Sequence, residues 1–268
     1  MSVRIITFNC NGVRSSAKKG LYDWISQQNA DFVCLQEIKA QPEQLLDSVY
    51  HPDGFECYLH AGERKGYSGT AIYSRVTADN CQKGYDEEVS YSEGRYLRLD
   101  IANLTIICLY LSSGRSSEDR QAIKMSSLQS LYGELQALKQ TGRQLVVCGD
   151  WNMCHRRDDL KNWQANQRKP GFLEEERAWL DRLTAELGMV DAFRDLTQGA
   201  GHYTWWSQRS RAKETNAGWR LDYHMINPGL RHRIKRVTIY RELNFSDHVP
   251  VLLELDGDLD ELSHQSGW

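Results

Sequence analysis

The chain lacks any long hydrophobic segment. None of its apolar runs approaches the roughly 20 residues that a membrane helix requires, so no membrane partner is expected. The N-terminus also lacks the cationic and then apolar pattern of a secretion signal. Prolines number only five among 268 residues, and there is no repeat, low-complexity tract or Pro/Gly-rich linker. These absences argue against a secreted or membrane protein and favour one compact unit.

Paired cysteines are also missing. The seven cysteines are odd in number and scattered, and no Cys-x-x-Cys pair occurs, so the pattern does not favour a zinc site or a disulfide framework. Four of them lie in apolar runs, namely Cys10, Cys34, Cys108 and Cys148. We expect these four to be buried thiols in a reducing compartment.

No excess of positive charge marks the chain as a whole, since 33 basic and 36 acidic residues give a net charge of −3. The distribution is nevertheless uneven. Residues 205–241 carry nine Lys or Arg and only two acidic side chains, whereas residues 254–261 carry acidic groups only. The basic stretch has two readings of equal weight: a surface for a polyanionic ligand, or a solvated face balanced by acidic neighbours.

Apolar periodicity predicts a mixed α/β fold. Short apolar runs indicate strands at residues 3–8, 32–35, 70–73, 145–148 and 249–255, and a hairpin at residues 96–100 and 104–111. Amphipathic stretches indicate helices near residues 20–28, 118–139 and 173–187. Residues 1–256 are predicted to form a single domain, and residues 257–268 a polar, frayed tail.

Polar residues stand where the predicted strands end. They are Asn9, Glu37, Asp150 with Asn152, Asp222, and Asp247 with His248. Each one alone is more often a turn, a cap or a structural histidine than a ligand. Together they suit a hard cation such as Mg²⁺ or Mn²⁺, because the set offers carboxylate and amide oxygens and no thiol. Carboxylates, a metal, amide donors and a histidine supply what hydrolysis of a phosphodiester requires.

With these residues and their neighbours, the sequence resembles the exonuclease III class of DNA-repair nucleases, within the endonuclease/exonuclease/phosphatase superfamily. The matching segments occur in the family's order at residues 7–14 (TFNCNGVR), 35–39 (LQEIK), 66–74 (GYSGTAIYS), 149–152 (GDWN), 219–223 (WRLDY) and 246–250 (SDHVP). Residues 160–163 and 171–173 also resemble this class, which separates it from phosphoinositide phosphatases and sphingomyelinases.

The resemblance implies an α/β fold of two β-sheets packed face to face, with helices on the outer faces, as a four-layer sandwich. It implies a Mg²⁺-dependent phosphodiesterase, with Mn²⁺ as the possible alternative ion, acting as a monomer on duplex DNA. The expected activities are incision at abasic sites, removal of 3′ phosphates or other 3′ blocks, and 3′-to-5′ exonuclease action. Glu37 would bind the metal, with Asn9 beside it and Asp247 in the metal shell.

The resemblance also assigns catalytic roles. Asp150 would orient or deprotonate the attacking water, and Asn152 would help to place it. Tyr110 and His248 would contact the scissile phosphate, with Asp222 holding the histidine.

A second set of matching positions concerns DNA. Trp205, Trp219 and Leu221 would line a pocket for an extruded abasic sugar, whereas Trp206 is expected in the core. Eight basic residues are candidate phosphate contacts, although each alone is more often a bystander: Arg156, Arg157, Lys161, Arg168, Lys169, Arg209, Arg211 and Lys213.

Three departures from the family pattern bear on activity. Asn11 stands where some members carry Asp, which removes a charge near the metal. Ser113 replaces a longer Asn or Gln donor in the segment that follows Tyr110. His155 comes just after the Asp150 and Asn152 pair, where a bulky side chain is expected to restrict which ends or lesions fit.

Two other functions stay open from the sequence. The first is a catalytically inactive, RNA-associated regulatory relative on the same fold, although such a protein would be expected to lack Glu37 or Asp150. The second is a phosphatase for a small or lipid phosphoester. The absence of targeting signals and the compact length favour the cytoplasm of a bacterium.

Overall fold

The computed structural model describes residues 1–115, 117–208, 211–263 and 268, and the elements below belong to these ranges. The strands are β1 (Ser2–Asn9), β2 (Phe32–Gln36), β3 (Glu56–His60), β4 (Thr70–Ser74), β5 (Asn80–Lys83), β6 (Tyr96–Ile101), β7 (Leu104–Tyr110), β8 (Gln144–Asp150), β9 (Val190–Asp191), β10 (Trp205–Trp206), β11 (Gly218–Trp219), β12 (Asp222–Ile226), β13 (Ile234–Ile239) and β14 (Val251–Asp256). The α-helices are α1 (Val13–Ala17), α2 (Leu21–Gln27), α3 (Glu88–Ser92), α4 (Glu118–Gln140), α5 (Trp163–Asn166), α6 (Glu174–Leu187), α7 (Ala192–Leu196) and α8 (Leu259–Ser263).

Two sheets of six strands form the centre of the molecule. One has the strand order β13-β14-β1-β2-β4-β3, and the other has the order β5-β6-β7-β8-β12-β9. Each contains a parallel pair, β1 with β2 and β7 with β8, while the other named pairs are antiparallel. Strands β10 and β11 form a separate short ribbon in which Trp205 pairs with Trp219.

The two sheets face each other across an apolar layer. In β1 the side chains of Val3 and Ile5 enter this layer, whereas Ile6 and Phe8 belong to the cluster on the outer face. This alternation is the period of two expected for a strand. The layer includes Cys34, Cys108 and Cys148, and all seven cysteines of the chain are free thiols. The prediction of buried cysteines is therefore confirmed.

Helices cover the outer faces. On one side α1 and α2 pack on the sheet that contains β1, and on the other side α4 and α6 pack on the sheet that contains β7. Helix α4 begins after Ser117, whose side chain caps the Arg120 amide, and acidic residues follow in the first turn. Helix α6 buries Trp179, Leu180 and Leu183 along one face. The four-layer sandwich predicted from the family resemblance is thereby confirmed.

The strands and helices predicted from periodicity are present, with ends that differ by a few residues. The structure adds β3, β5 and β13, which periodicity missed because they lie near sheet edges and are only partly buried. At the C-terminus, α8 buries Leu262 between the sheets, and Trp268 packs against the outer cluster beside α4. The expectation of a frayed tail is wrong at these residues. Among the described helices, none combines the length and hydrophobicity needed to cross a membrane.

Candidate active site

The polar residues converge at one edge of the two sheets. Every second side chain of a strand faces the other sheet, and this alternation continues beyond the apolar layer to the strand ends. The residues that face the other sheet include Ile106 and Cys108 in β7 and Val146 and Cys148 in β8. The same alternation leads to Tyr110 and Asp150 at the ends of these strands and, from Val3 and Ile5, to Asn9 at the end of β1. Asp222, the first residue of antiparallel β12, lies opposite Asp150 in the register. Both sheets therefore contribute to one edge of the sandwich.

Asn9 joins the carboxylates from the two sheets. Its side-chain amide donates to Asp150 Oδ2 at 2.8 Å and to Glu37 Oε2 at 3.0 Å. The side-chain oxygen of Asn9, Oδ1, accepts a hydrogen bond from the Asn11 backbone amide at 3.0 Å. Asn9 and Asp150 are both about 1% exposed, whereas the Glu37 side chain is 20% exposed, so the bridge opens to solvent on the Glu37 side. An amide that is held from both sides fixes the separation of the two carboxylates.

His248 lies between two buried carboxylates. Its Nδ1 is 2.9 Å from Asp222 Oδ2, and its Nε2 is 3.7 Å from Asp150 Oδ2. Thr204, which the sequence did not single out, donates to Asp222 Oδ2 at 2.5 Å and accepts from the Leu221 and Asp222 backbone amides. The imidazole is therefore oriented on one side and faces Asp150 with the other.

The charges of this group depend on one another. Burial alone would lower the pKa of His248, but the Asp222 and Asp150 carboxylates raise it to about 10. Burial raises the pKa of Asp150 to about 7, against the opposing effect of the histidine. The arrangement favours an imidazolium next to a carboxyl group that titrates near neutrality.

Asn152 is held at the same edge. Its backbone amide donates to Asp150 Oδ1 at 2.9 Å, and its side-chain amide donates to Asp150 Oδ2 at 3.1 Å and to the Leu111 carbonyl at 2.9 Å. Asn152 has a φ of +50°, a left-handed conformation that asparagine adopts more readily than most residues. All five predicted catalytic residues are thus brought to one place.

The predicted metal residues offer oxygen ligands to a hard cation. Glu37 Oε1 is 2.7 Å from Lys39 Nζ, so a cationic side chain already balances part of the carboxylate charge. Asp247 lies further along the edge, where Asn11 Nδ2 donates to its Oδ1 at 2.9 Å and Trp205 Nε1 to its Oδ2 at 3.0 Å. Carboxylate and amide oxygens without thiol ligands fit Mg²⁺ or Mn²⁺.

A second set of potential ligands differs from the predicted one. Asp150, Asp222 and His248 place ligand atoms within 4.8 Å of one another. In this set, however, the histidine is already bonded to Asp222, and the carboxylates favour its protonated form, which is not a metal ligand. Glu37, Asn9 and Asp247 therefore stay the predicted metal ligands.

The predicted abasic pocket residues also come together. Leu221 is buried in a small cluster, and Trp205 and Trp219 are partly buried against it, together with Leu160 and Phe172. Trp206 has the opposite environment, since it is 2% exposed and packs with Tyr203 and Val249 in another cluster. The assignment of Trp206 to the core is confirmed.

Sequence reasoning missed Arg115, which lies at this pocket. Its guanidinium is 5.2 Å from the ring centre of Trp205 and 4.7 Å from that of Trp219. Cation–π contact of this kind places a positive charge next to the aromatic surface. The only sequence signal is its position in a Gly/Ser-rich loop directly after the segment that begins with Tyr110.

A basic cleft adjoins the candidate metal residues, and it was also missed. The cleft has a volume of about 490 Å³, and its charged lining residues are Arg14, Lys18 and Lys39. Arg14 and Lys39 belong to the matching segments at residues 7–14 and 35–39, in which Asn9 and Glu37 are the predicted metal residues. No acidic side chain lines this cleft in the described part of the chain, so its field favours an anion.

The expectation for His155 is not supported by the geometry. Its imidazole bonds to Asp181 of α6 at 2.8 Å and lines a different cavity, together with Val190 and Arg194. The ring is therefore turned towards α6 rather than towards the Trp205 and Trp219 pair. Ser113 is exposed, and Asn11 bonds to Asp247 and Lys39.

The basic stretch at residues 205–241 is mostly neutralised. Five of its arginines pair with acidic side chains, namely Arg211, Arg220, Arg231, Arg233 and Arg236. Arg209 lies outside the described residues. The stretch therefore fits the second reading, a basic face balanced by acidic neighbours.

A two-sheet α/β sandwich with carboxylates, amides and an oriented histidine at one edge suits the hydrolysis of phosphate esters. The model of the "Endonuclease/Exonuclease/phosphatase family" matches residues 6–248. An exodeoxyribonuclease of Bacillus subtilis is 33% identical over 94% of this chain and 98% of its own length. A DNA-(apurinic or apyrimidinic site) endonuclease of Dictyostelium discoideum is 30% identical over 95% of this chain and 71% of its own length.

A solved structure shows the same fold. An AP endonuclease from Archaeoglobus fulgidus superposes with a TM-score of 0.87 at 27% identity, and the match covers 95% of this chain and 100% of that one. The chain therefore belongs to the endonuclease/exonuclease/phosphatase family and is an exonuclease III-like DNA-repair nuclease, a metal-dependent hydrolase.

Proposed function

We propose that this nuclease is Mg²⁺-dependent and that it incises duplex DNA on the 5′ side of abasic sites and processes blocked or recessed 3′ ends. The observation that carries the proposal is the joint placement of the Asp150, Asp222 and His248 group and the Trp205 and Trp219 pair at one edge. The two sets are linked through Asp247, which accepts a hydrogen bond from Trp205 Nε1 and directly precedes His248 in the chain. The chemical group and the pocket therefore serve the same substrate.

Each residue has a distinct proposed task. Asp150 orients the attacking water and accepts its proton, while Asn152 helps to place that water. His248, held by Asp222, and Tyr110 donate hydrogen bonds to the scissile phosphate. Glu37 and Asn9, with Asp247 in the metal shell, would hold a cation that neutralises the phosphoryl charge and stabilises the leaving oxygen. Fixed donors of this kind stabilise the charge that develops in the transition state.

Substrate choice follows from the aromatic pocket. A nucleotide without a base leaves the stack at low energetic cost, and an apolar pocket lined by Trp205, Trp219 and Leu221 excludes an intact base. The cleft of Arg14, Lys18 and Lys39 suits the phosphates of a DNA strand that runs past the site. The named relatives, an exodeoxyribonuclease and an abasic-site endonuclease, support both proposed activities.

The proposal also covers assembly and location. We propose a monomer with residues 1–256 as one domain, and a cytoplasmic location in a bacterium, which the free thiols fit. The RNA-associated, catalytically inactive alternative would be expected to have lost Glu37 or Asp150, and both are present and joined through Asn9. A phosphatase for small phosphoesters gains no support from an aromatic pocket suited to an extruded sugar.

A gel assay with three end-labelled duplexes tests the proposal. One duplex carries a single internal abasic analogue, one carries a nick with a 3′ phosphate, and one has an unmodified recessed 3′ end. Each is incubated with Mg²⁺ and, as the control, with chelator. Metal-dependent incision of the first and processing of the others is the expected result.

Other outcomes separate the alternatives. Processing of 3′ ends alone would restrict the protein to end trimming and would remove the abasic role of the Trp205 and Trp219 pair. No product from any duplex would contradict the proposal, and a metal-independent complex with RNA would then favour the regulatory alternative. Faster hydrolysis of a soluble phosphoester than of DNA would favour a phosphatase.

A further inference from the structure

A lysine and a glutamate form an ion pair in the interior, away from any proposed contact with DNA. Lys124 of α4 and Glu176 of α6 both have fully buried side chains, and Lys124 Nζ is 2.6 Å from Glu176 Oε1. A buried ion pair is weak evidence for stability, because desolvation of both charges offsets their attraction. Apolar side chains of similar size would pack there as well, so the pair calls for another explanation.

The pair is bonded to the backbone of the candidate site. Lys124 Nζ donates to the Asn152 carbonyl oxygen at 2.9 Å. Asn152 has its backbone amide and side-chain amide on Asp150, so the lysine fixes the remaining backbone group of this residue. Because Asn152 is in the left-handed region, its backbone needs such support to keep the side chain aimed at Asp150.

The glutamate holds the other side of the same loop. Glu176 Oε2 accepts from the Gly171 amide at 2.7 Å and from the Leu173 amide at 2.9 Å. Gly171 has a φ of +96°, and a Cβ there would lie 3.2 Å from the Trp219 ring and 3.3 Å from the Asn152 carbonyl oxygen. The turn at Gly171 is thus packed between the Trp219 ring of the aromatic pocket and the backbone of Asn152.

We propose that the Lys124–Glu176 pair is a positioning device that fixes the Asn152 backbone and the Gly171 turn, and so sets turnover without touching the substrate. The inference rests on the proposed function, since it assumes that Asn152 takes part in catalysis. Lys124 and Glu176 are positioning residues in this proposal. A displacement of Asn152 would reduce the fraction of bound substrate that reacts and would leave substrate binding largely intact.

The test uses the full chain and the double variant Lys124→Met/Glu176→Gln. Methionine keeps the length of the lysine stem, and glutamine keeps a carbonyl oxygen for the Gly171 and Leu173 amides, so no charge is left uncompensated. We expect cooperative unfolding to persist and kcat on the abasic duplex to fall about 10-fold, with KM changed less than about 2-fold. Lys139→Met, near the end of α4, is the matched control, with kcat unchanged.

Two further comparisons separate positioning from a general effect on the fold. In an Asn152→Ala background, the double variant should cause no further loss of kcat, because the lysine acts through Asn152. In Lys124→Gln/Glu176→Gln, the added amide donor should restore part of the lost kcat. Equal losses in both backgrounds, or an unchanged kcat in the folded double variant, would overturn the inference.

Hydrogen exchange gives a readout that does not depend on activity. The segment at residues 151–156 should exchange faster in the double variant, while α2, on the opposite outer face, should not change. This measurement also applies if the double variant is only marginally stable or if the native protein cleaves none of the duplexes. In the latter case the proposed function fails, and unchanged exchange at residues 151–156 would separately refute the positioning role.

Discussion

His248 Nδ1 and Asp222 Oδ2 lie 2.9 Å apart, although the two residues are 26 positions apart in the chain. Asp222 begins β12 in one sheet, and His248 precedes β14 in the other. The bond therefore crosses between the two sheets at their common edge. It orients the imidazole so that its second nitrogen faces Asp150.

Loss of this bond should slow turnover. Asp222→Asn keeps the size of the side chain and removes the charge that orients and stabilises the imidazolium. We expect kcat to fall on the order of 10²-fold, as for loss of an electrostatic stabiliser, while duplex binding in a filter or anisotropy assay persists. The exposed Asp53→Asn is the control. A turnover close to that of the native protein would exclude a catalytic role for Asp222.

Glu37 should set the metal requirement. In Glu37→Gln the formal charge is lost while the contact with Asn9 can persist, so we expect lower activity and a shift of the Mg²⁺ titration midpoint to higher concentration. The measurement is the initial rate of duplex cleavage against Mg²⁺ concentration. The exposed Glu43→Gln should behave as the native protein. An unshifted midpoint would remove Glu37 from the metal ligands.

Substitutions of the adjacent residues Trp205 and Trp206 should distinguish a pocket residue from a core residue. Trp205→Ala should reduce incision at abasic sites more than trimming of 3′ ends, because it opens the pocket while the core stays packed. Trp206→Ala should destabilise the fold, by about 3–5 kcal/mol for a buried tryptophan, and affect both activities alike. Rates on both duplexes and urea unfolding of each variant provide the comparison. If Trp205→Ala affects both activities equally, the ring is only part of the core.

His224 should make the fold sensitive to acid. Burial lowers its pKa from 6.5 to about 3. Between these values the unfolded chain binds a proton that the folded chain does not, so stability is present above pH 6.5 and is lost as the pH falls. The slope that this group contributes is about 1.4 kcal/mol per pH unit.

His224→Phe removes that contribution and keeps an apolar ring in the layer between the sheets. Urea unfolding at several pH values between 4.5 and 6.5 should therefore give a slope of unfolding free energy against pH that is less positive in the variant than in the native protein, by up to about 1.4 kcal/mol per pH unit. His51→Phe, at an exposed position, serves as the control and should retain the native slope. An identical slope in native protein and His224→Phe would show that another group dominates.

Much of the fold follows from periodicity and strand ends. The runs that became β1, β2, β7 and β8 are apolar because these strands are buried in the middle of their sheets. The edge strands β3 and β5 have mixed exposure, so their pattern resembles that of a loop. Register and sheet order depend on contacts between distant segments, which no local pattern contains.

The candidate site likewise contains residues that the sequence could indicate and residues that it could not. Asn9, Asp150 and Asp222 were recognisable as polar residues at junctions of apolar sequence, and the family resemblance supplied their roles. Thr204 and Arg115 were not, because a single threonine or arginine in a loop carries no signal until its neighbours are known. Lys124 was not recognisable because a lysine in an amphipathic helix is usually solvated, yet its side chain is fully buried.

The first and last strands are neighbours: β14 pairs with β1 along its whole length, from Ser2 opposite Asp256 to Thr7 opposite Val251. His248 reaches the site only when β14 takes this place. A ribosome must therefore release nearly the entire chain before the imidazole can face Asp150. If His248 has its proposed role, the nascent chain and any product of premature termination that lacks β14 are expected not to cleave DNA.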